Sequence, residues 1–237
     1  MLAFSHALWT LIYQHTYLIR FNYIFKYKRV FLKNFFPTFF KQYNVILTHI
    51  PKTAGTSLRH SIGITENIPH LPIKWYKEKY GDHLLSKMFK FSFVRHPVTR
   101  LLSAYFFLKG GGYKGIPEDN FFSEKVMSQF SSFHEFLEWF SPSKVWVYIH
   151  FFPQSYFICD SKGNIYQDWI GRFEQIEKDY EQLRELLAQR GIQAKPLAKR
   201  NVTQKKNTPK LSKQEIYKIY EIYKSDFDLL NYDPENF

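Results

Sequence analysis

The sequence predicts an α/β fold in which a central parallel sheet is wrapped by helices. Three observations carry that reading. Apolar or aromatic strand-like runs at residues 45–50 and 88–94 are each followed by a segment of helical spacing, and strand–helix alternation is what crossovers between parallel strands require. Each run ends at a proline, Pro51 or Pro97, which cannot donate to a strand ladder and sits well in the first turn of a helix. The 237 residues suit one domain with a substantial core behind a short appended segment, divided here as 1–43 and 44–237.

Composition narrows the function classes. Aromatic residues make up 20% of the chain and charged ones 23%, which argues against disorder throughout. The net charge of +12 suits an anionic partner such as a nucleotide, an acidic glycan, nucleic acid or an acidic membrane surface. The sole cysteine, Cys159, excludes an intrachain disulfide and fits a reducing compartment. No repeat or low-complexity tract is present.

Residues 1–19 carry no Lys, Arg, Asp or Glu and approach the length that spans a bilayer. His6, His15, Gln14 and three hydroxyl residues interrupt them, which makes a poor anchor. No basic region precedes the stretch and no small-residue cleavage site follows, against a secretory signal. Residues 20–41 mix aromatics with Arg20, Lys26, Lys28, Arg29, Lys33 and Lys41. That mixture suits an interfacial helix on an anionic leaflet, or equally a packing helix with solvated lysines. The expectation is a cytoplasmic catalytic part, peripheral to a membrane or anchored to it through residues 1–41.

The stretch 45–59, VILTHIPKTAGTSLR, is the first with chemistry in it. A short strand, a turn and a helix start bring unpaired N–H groups and the positive end of the helix dipole to one point, and Lys52 adds a full charge. Gly55 permits a tight turn or a close approach, and Thr56 or Ser57 can cap the helix over 56–64. The pattern is not a Walker A loop, because Lys precedes the only glycine. Residues 51–57, Pro-Lys-Thr-Ala-Gly-Thr-Ser, resemble the 5′-phosphosulfate loop of carbohydrate-type (family 2) sulfotransferases. Enzymes of that family use 3′-phosphoadenosine 5′-phosphosulfate (PAPS) as donor.

Residues 65–88 are mixed and polar, with His70 between two prolines and a turn at Tyr80-Gly81-Asp82. The aromatic, alternating run 88–94 reads as a second core strand, and Pro97 opens a helix over 97–108. Residues 91–105, FSFVRHPVTRLLSAY, resemble the family's second signature, in which a strand-end Arg and a Ser eight residues later grip the 3′-phosphate. Here those positions are Arg95 and Ser103. A guanidinium pairs with phosphate oxygens in a fixed fork geometry, so the assignment is chemically sound.

Gly110-Gly111-Gly112 starts a flexible connection near the acceptor, and residues 121–140 carry phenylalanines at helical spacing, as one core helix. His150 and Gln154 are candidates to line the acceptor cleft, with a satisfied buried histidine as an equal alternative for His150. Residues 156–160 and 165–173 flank Ser161-Lys162-Gly163-Asn164 as a hairpin. In the family a strand ends close to the nucleotide where Ile170-Gly171-Arg172-Phe173-Glu174 stands, which makes Arg172 a further phosphate candidate. A helix over 174–190 is stopped by Gly191, and the basic stretch 193–211 is a solvated loop, in which the resemblance makes residues 201–206 a lid. Ser212 and Glu215 form a capping box that opens a last helix.

The resemblance implies a three-layer, P-loop-like α/β fold and transfer of a sulfuryl group from PAPS to an acceptor hydroxyl, favouring a glycan. Lys52 would stabilise the leaving phosphate. Thr53, Ala54, Gly55, Thr56 and Ser57 would bind the phosphosulfate. Relatives often place a histidine base between the two signatures, which favours His70, with His60, His83 and His150 as rivals. Some sulfotransferases use a carboxylate base, so the residue type stays open. No metal is expected, and no Cys/His cluster suggests one. The rival readings are a nucleotide kinase, which lacks the Walker Lys-Ser/Thr end, and a non-catalytic membrane-associated anion binder. Nucleic-acid binding is not expected, since no known module surrounds the basic run.

Overall fold

The computed structural model describes residues 36–197 and 209–237. Residues 1–35, with most of the proposed membrane-contact segment, and the lid at 201–206 lie outside the described residues. Strands β1 (Val45–Leu47), β2 (Phe89–Val94) and β3 (Trp169–Arg172) form a parallel sheet in that order. Leu47 lies opposite Phe91, and Val94 opposite Arg172.

All six residues of the middle strand β2 are buried. The alternation read from sequence would leave one face polar, but a parallel sheet is covered on both faces. Its polar positions are satisfied internally: Ser92 Oγ donates to the Thr48 carbonyl at 2.7 Å, and Lys90 Nζ reaches Asp168 at 2.8 Å.

Helices surround the sheet in chain order: α1 (Thr38–Tyr43), α2 (Gly55–Ser61), α3 (Ile73–Tyr80), α4 (Asp82–Leu85), α5 (Pro97–Lys109), α6 (Pro117–Lys125) and α7 (Phe133–Trp139). They continue with α8 (Gln154–Ile158), α9 (Ile176–Ala188), α10 (Lys213–Ile222) and α11 (Lys224–Leu230). Two apolar clusters divide the core. One joins β1 and Phe89, Phe91 and Phe93 to α1, α3 and α9, and Phe36 and Phe40 belong to it. The other joins α5 to the aromatic residues of α6, α7 and residues 145–158, and to α10 and α11.

Three expectations change. The helix expected over 121–140 is two helices separated by a 3₁₀ turn, Met127–Gln129. Ser132 Oγ accepts the Glu135 N–H and the Glu135 carboxylate accepts the Ser131 N–H, so side chains here compete with helical bonds and restart the helix. The expected apolar residues, Phe122 to Phe140, remain buried. The hairpin across 161–164 reduces to one antiparallel bridge, Cys159 with Ile165. Its first arm is α8 instead, because the Asp226 carboxylate accepts the N–H groups of Gln154 and Ser155 and caps that helix. Its second arm pairs in parallel with β2. Finally, residues 65–88, read as mixed and polar, hold α3 and α4 on either side of the turn at Gly81.

Candidate active site

The ladder from β1 extends one bond further, Thr48 N–H to the Phe91 carbonyl at 2.9 Å, and the chain then turns. In the turn, Lys52 (φ 69°) and Ala54 (φ 67°) both occupy the left-handed region, although neither is glycine. Such residues are strained, and two within three positions bend the backbone sharply just before α2. The sequence reading offered Gly55 a tight turn or a close approach to a ligand, and the structure shows a close approach, to a side chain. A Cβ there would overlap the ring of His49, so glycine is required for the close approach of that imidazole. The expected cap at Thr56 or Ser57 is absent: Ala54 is the N-cap and no side chain bonds to the first turn. The helix thus begins without the side-chain oxygen that normally accepts its N–H groups. Thr53 is buried and its hydroxyl donates to the Ile50 carbonyl at 3.0 Å, locking the turn from within.

At the end of β2, Arg95 turns toward this loop. Its Nη1 donates to the Lys52 carbonyl at 3.4 Å, its Nε to Thr99 Oγ1 at 3.1 Å, and its guanidinium lies 4.1 Å over the Phe173 ring. Gln154 clamps the Arg95 backbone on both sides, accepting its N–H at 2.8 Å and donating to its carbonyl at 2.7 Å. Gln154 is fully buried and so belongs to the support of Arg95, not to the acceptor cleft expected for it. Pro97 opens α5 as expected, and His96 caps it through Nδ1.

The Lys52 ammonium rests 3.8 Å from the centre of the Phe107 ring. Burial, helped by the Arg95 charge, pushes its pKa down to about 8. Burial likewise brings Arg95 to about 10. Among the described residues, no carboxylate lies within ion-pair distance of either. Behind the loop the buried Arg100 donates to three carbonyls, those of Pro51 (3.5 Å), His150 (3.3 Å) and Phe152 (2.5 Å).

Three histidines meet beside Lys52. His70 Nδ1–H donates to the His49 carbonyl at 2.7 Å, and His49 Nδ1–H donates to the Ile68 carbonyl at 3.3 Å. Since a carbonyl only accepts, each ring is held as the tautomer with an unprotonated Nε2. The His49 and His70 rings are 4.2 Å apart, and His150 stands 6.3 Å from His70 and 5.0 Å from Phe107. Burial lowers the pKa of His49 to about 4. It lowers that of His70 well below the ordinary value, helped by His49. His150 is also lowered by burial, although Asp119 opposes the shift. All three are therefore neutral near pH 7, the state a proton acceptor needs.

Of the sequence candidates, Lys52, Thr53, Ala54, Gly55, Thr56 and Ser57 form the loop, and Arg95 and His70 converge on it. Ser103 lies half-buried in the second turn of α5 and bonds to none of these residues. Arg172 Nη2 donates to the Leu230 carbonyl and its guanidinium lies 4.4 Å over Tyr232, so it is engaged with the end of the chain. His60 and His83 occupy exposed positions on α2 and α4. His49, Thr99 and Asp119 were missed as parts of the site, and Gln154 was singled out for the acceptor cleft and not for its clamp on Arg95. Only Thr99, four residues after Arg95 at a helix start, carried a local signal.

Among the described residues, no group of three or more His, Cys, Asp or Glu side chains is arranged to hold a metal ion. No helix among them is long and apolar enough to cross a membrane. A family model described as "Sulfotransferase family" matches residues 10–233. No curated protein and no solved structure matches the chain.

Proposed function

The chain belongs to sulfotransferase family 2, and from that premise we propose that it moves the sulfuryl group of PAPS to a hydroxyl of a carbohydrate acceptor. One observation carries the donor assignment: Lys52 and Arg95, from the ends of neighbouring parallel strands, meet at one loop, and among the described residues neither has a carboxylate within ion-pair distance. Part-buried cations that make no ion pair are costly unless a ligand supplies one, and a nucleotide with phosphate at both the 3′ and 5′ positions supplies two. Their place at the carboxyl ends of the strands is where open parallel sheets bind ligands, and it fits a three-layer P-loop-like arrangement.

The reaction is an in-line displacement. The acceptor O–H breaks as its oxygen bonds to sulfur, and the bond from sulfur to the bridging oxygen breaks with its electron pair going to the leaving phosphate. Lys52 neutralises that phosphate, and the loop N–H groups of residues 53–57 hold its oxygens. Arg95, steadied by Thr99 and Phe173, takes the 3′-phosphate, with Ser103 as a second donor. His70 removes the acceptor proton at Nε2, the nitrogen left free by its bond to the His49 carbonyl. No step in this scheme requires a metal. The glycan class rests on the family branch resembled and on the basic, aromatic-rich composition. Contact of residues 1–41 with an anionic membrane, and a cytoplasmic location, rest on the sequence pattern alone.

Calorimetric titration with 3′-phosphoadenosine 5′-phosphate tests the donor site, with ATP and 5′-AMP as controls. Selective binding of the bisphosphate, weakened in Lys52→Ala and in Arg95→Ala, is expected. Tighter binding of ATP, or indifference to Arg95, would overturn the reading in favour of a kinase or a simple anion binder.

A further inference from the structure

Asp119 is a carboxylate with only 2% exposure, and the scheme above gives it no task. It accepts the Tyr113 N–H at 2.8 Å, the Tyr148 hydroxyl, and His150 Nε2–H at 3.4 Å. Gly112 (φ 68°) makes room for it, since a Cβ there would overlap the Asp119 side chain. With Nε2–H committed to the carboxylate, His150 Nδ1 is left as a buried lone pair with no hydrogen-bond partner among the described residues. Buried polar atoms are rarely left so, and one beside a reacting centre is a receptor in waiting. The groups facing His150 are Asp119, Tyr148, His70, His49, Lys52 and Arg100.

The position of His70 poses a difficulty that this arrangement resolves. An imidazolium at His70 would stand against His49 and near Lys52, with no carboxylate to balance it. His150 has one. We infer that the proton taken from the acceptor hydroxyl by His70 passes to His150 Nδ1, where Asp119 holds the resulting imidazolium. The ring centres lie 6.3 Å apart, too far for direct contact of the rings, so the inferred transfer runs through a bridging water. The balance is simple: the proton leaves His70 Nε2, which returns to its neutral tautomer, and arrives at His150 Nδ1, from which it is later released to solvent. His150 acts through His70 and not on the substrate, and Asp119 is the positioning residue that fixes its tautomer. The inference rests on the sulfotransfer reading.

The test uses the full chain, with PAPS as probe and water as the acceptor, in wild type, Asp119→Asn and His150→Gln. Binding of 3′-phosphoadenosine 5′-phosphate is measured in parallel. Expected are unchanged bisphosphate affinity, turnover lowered at least about tenfold, and partial rescue of His150→Gln by added imidazole. Loss of the carboxylate lowers the pKa of His150, so the acid limb of the Asp119→Asn profile moves to lower pH. Nitrogen-15 spectra of histidine-labelled protein should show His150 protonated at Nε2 in wild type, with that preference lost in Asp119→Asn. Failure of the wild type to bind the bisphosphate would overturn the donor reading itself. Normal binding with unchanged turnover and pH profile would overturn the relay alone. Where wild type turns over no PAPS in water, the spectra decide, and a His150 protonated at Nδ1 would overturn it.

Discussion

The two ends of β2 present two cations with opposite surroundings, Lys90 buried and Arg95 half-buried. Lys90, near the amino end, is 5% exposed and fully supplied: its ammonium donates to the Leu85 and Met88 carbonyls and pairs with Asp168 at 2.8 Å. Arg95, just past the carboxyl end, bonds to a hydroxyl and a carbonyl and lies over an aromatic ring, with Lys52 as its neighbour. The first cation is neutralised by the fold. The second makes no ion pair among the described residues, and Glu174 acts on it only from a distance. Burial of a charge is therefore no guide to its role until its partners are counted, and a strand of six residues separates a paired cation from an unpaired one.

The contrast can be broken most sharply at Lys52. Lys52→Ala should lower sulfate transfer by about a thousandfold, roughly 4 kcal/mol of barrier, while melting little changed, as kinetics and calorimetry on one preparation would show. Next in size is pH. Because the pKa of His49 is about 4 in the fold against 6.5 when exposed, its contribution is complete above about pH 6.5 and is lost as pH falls toward 4. That should remove up to roughly 3 kcal/mol, read from urea midpoints across the window, and a flat profile would contradict the burial of this ring. Arg95→Ala should weaken bisphosphate binding by about 2–3 kcal/mol with little loss of stability, since it deletes a cation that makes no ion pair. Lys90→Met should do the reverse, costing about 2 kcal/mol of stability with affinity intact. Ser212→Ala is the control: its capping box with Glu215 is formed, and its loss should cost about 1 kcal/mol and leave binding unchanged.

What the sequence made legible was local. Pro97 at the start of α5, the Ser212–Glu215 box and the strand-end cations Lys52 and Arg95 could all be read from neighbours a few residues apart. What it hid was distant. The supposed hairpin failed because Asp226, more than seventy residues away, caps α8. The clamp of Gln154 on Arg95 spans 59 residues, and nothing near Gln154 announces it. Gly55 was read as serving either a turn or a close approach, and its sequence could not choose, because conformational freedom and the need for space leave the same letter. The loop's strain at Lys52 and Ala54 was invisible for a related cause: non-glycine residues give no sign of the left-handed region they are held in.

The Arg100 guanidinium has a consequence for the order in which the protein matures during synthesis. It ties the carbonyl of Pro51, in the donor loop, to those of His150 and Phe152, about a hundred residues further along the chain. A nascent chain that has emerged only as far as α7 has β1, the loop and β2 in hand, yet cannot seat this cation or complete the clamp on Arg95. The loop around Lys52 and Arg95 is therefore completed late, after the segment carrying His150 and Gln154 leaves the ribosome, and a truncated product ending before that segment lacks these supports.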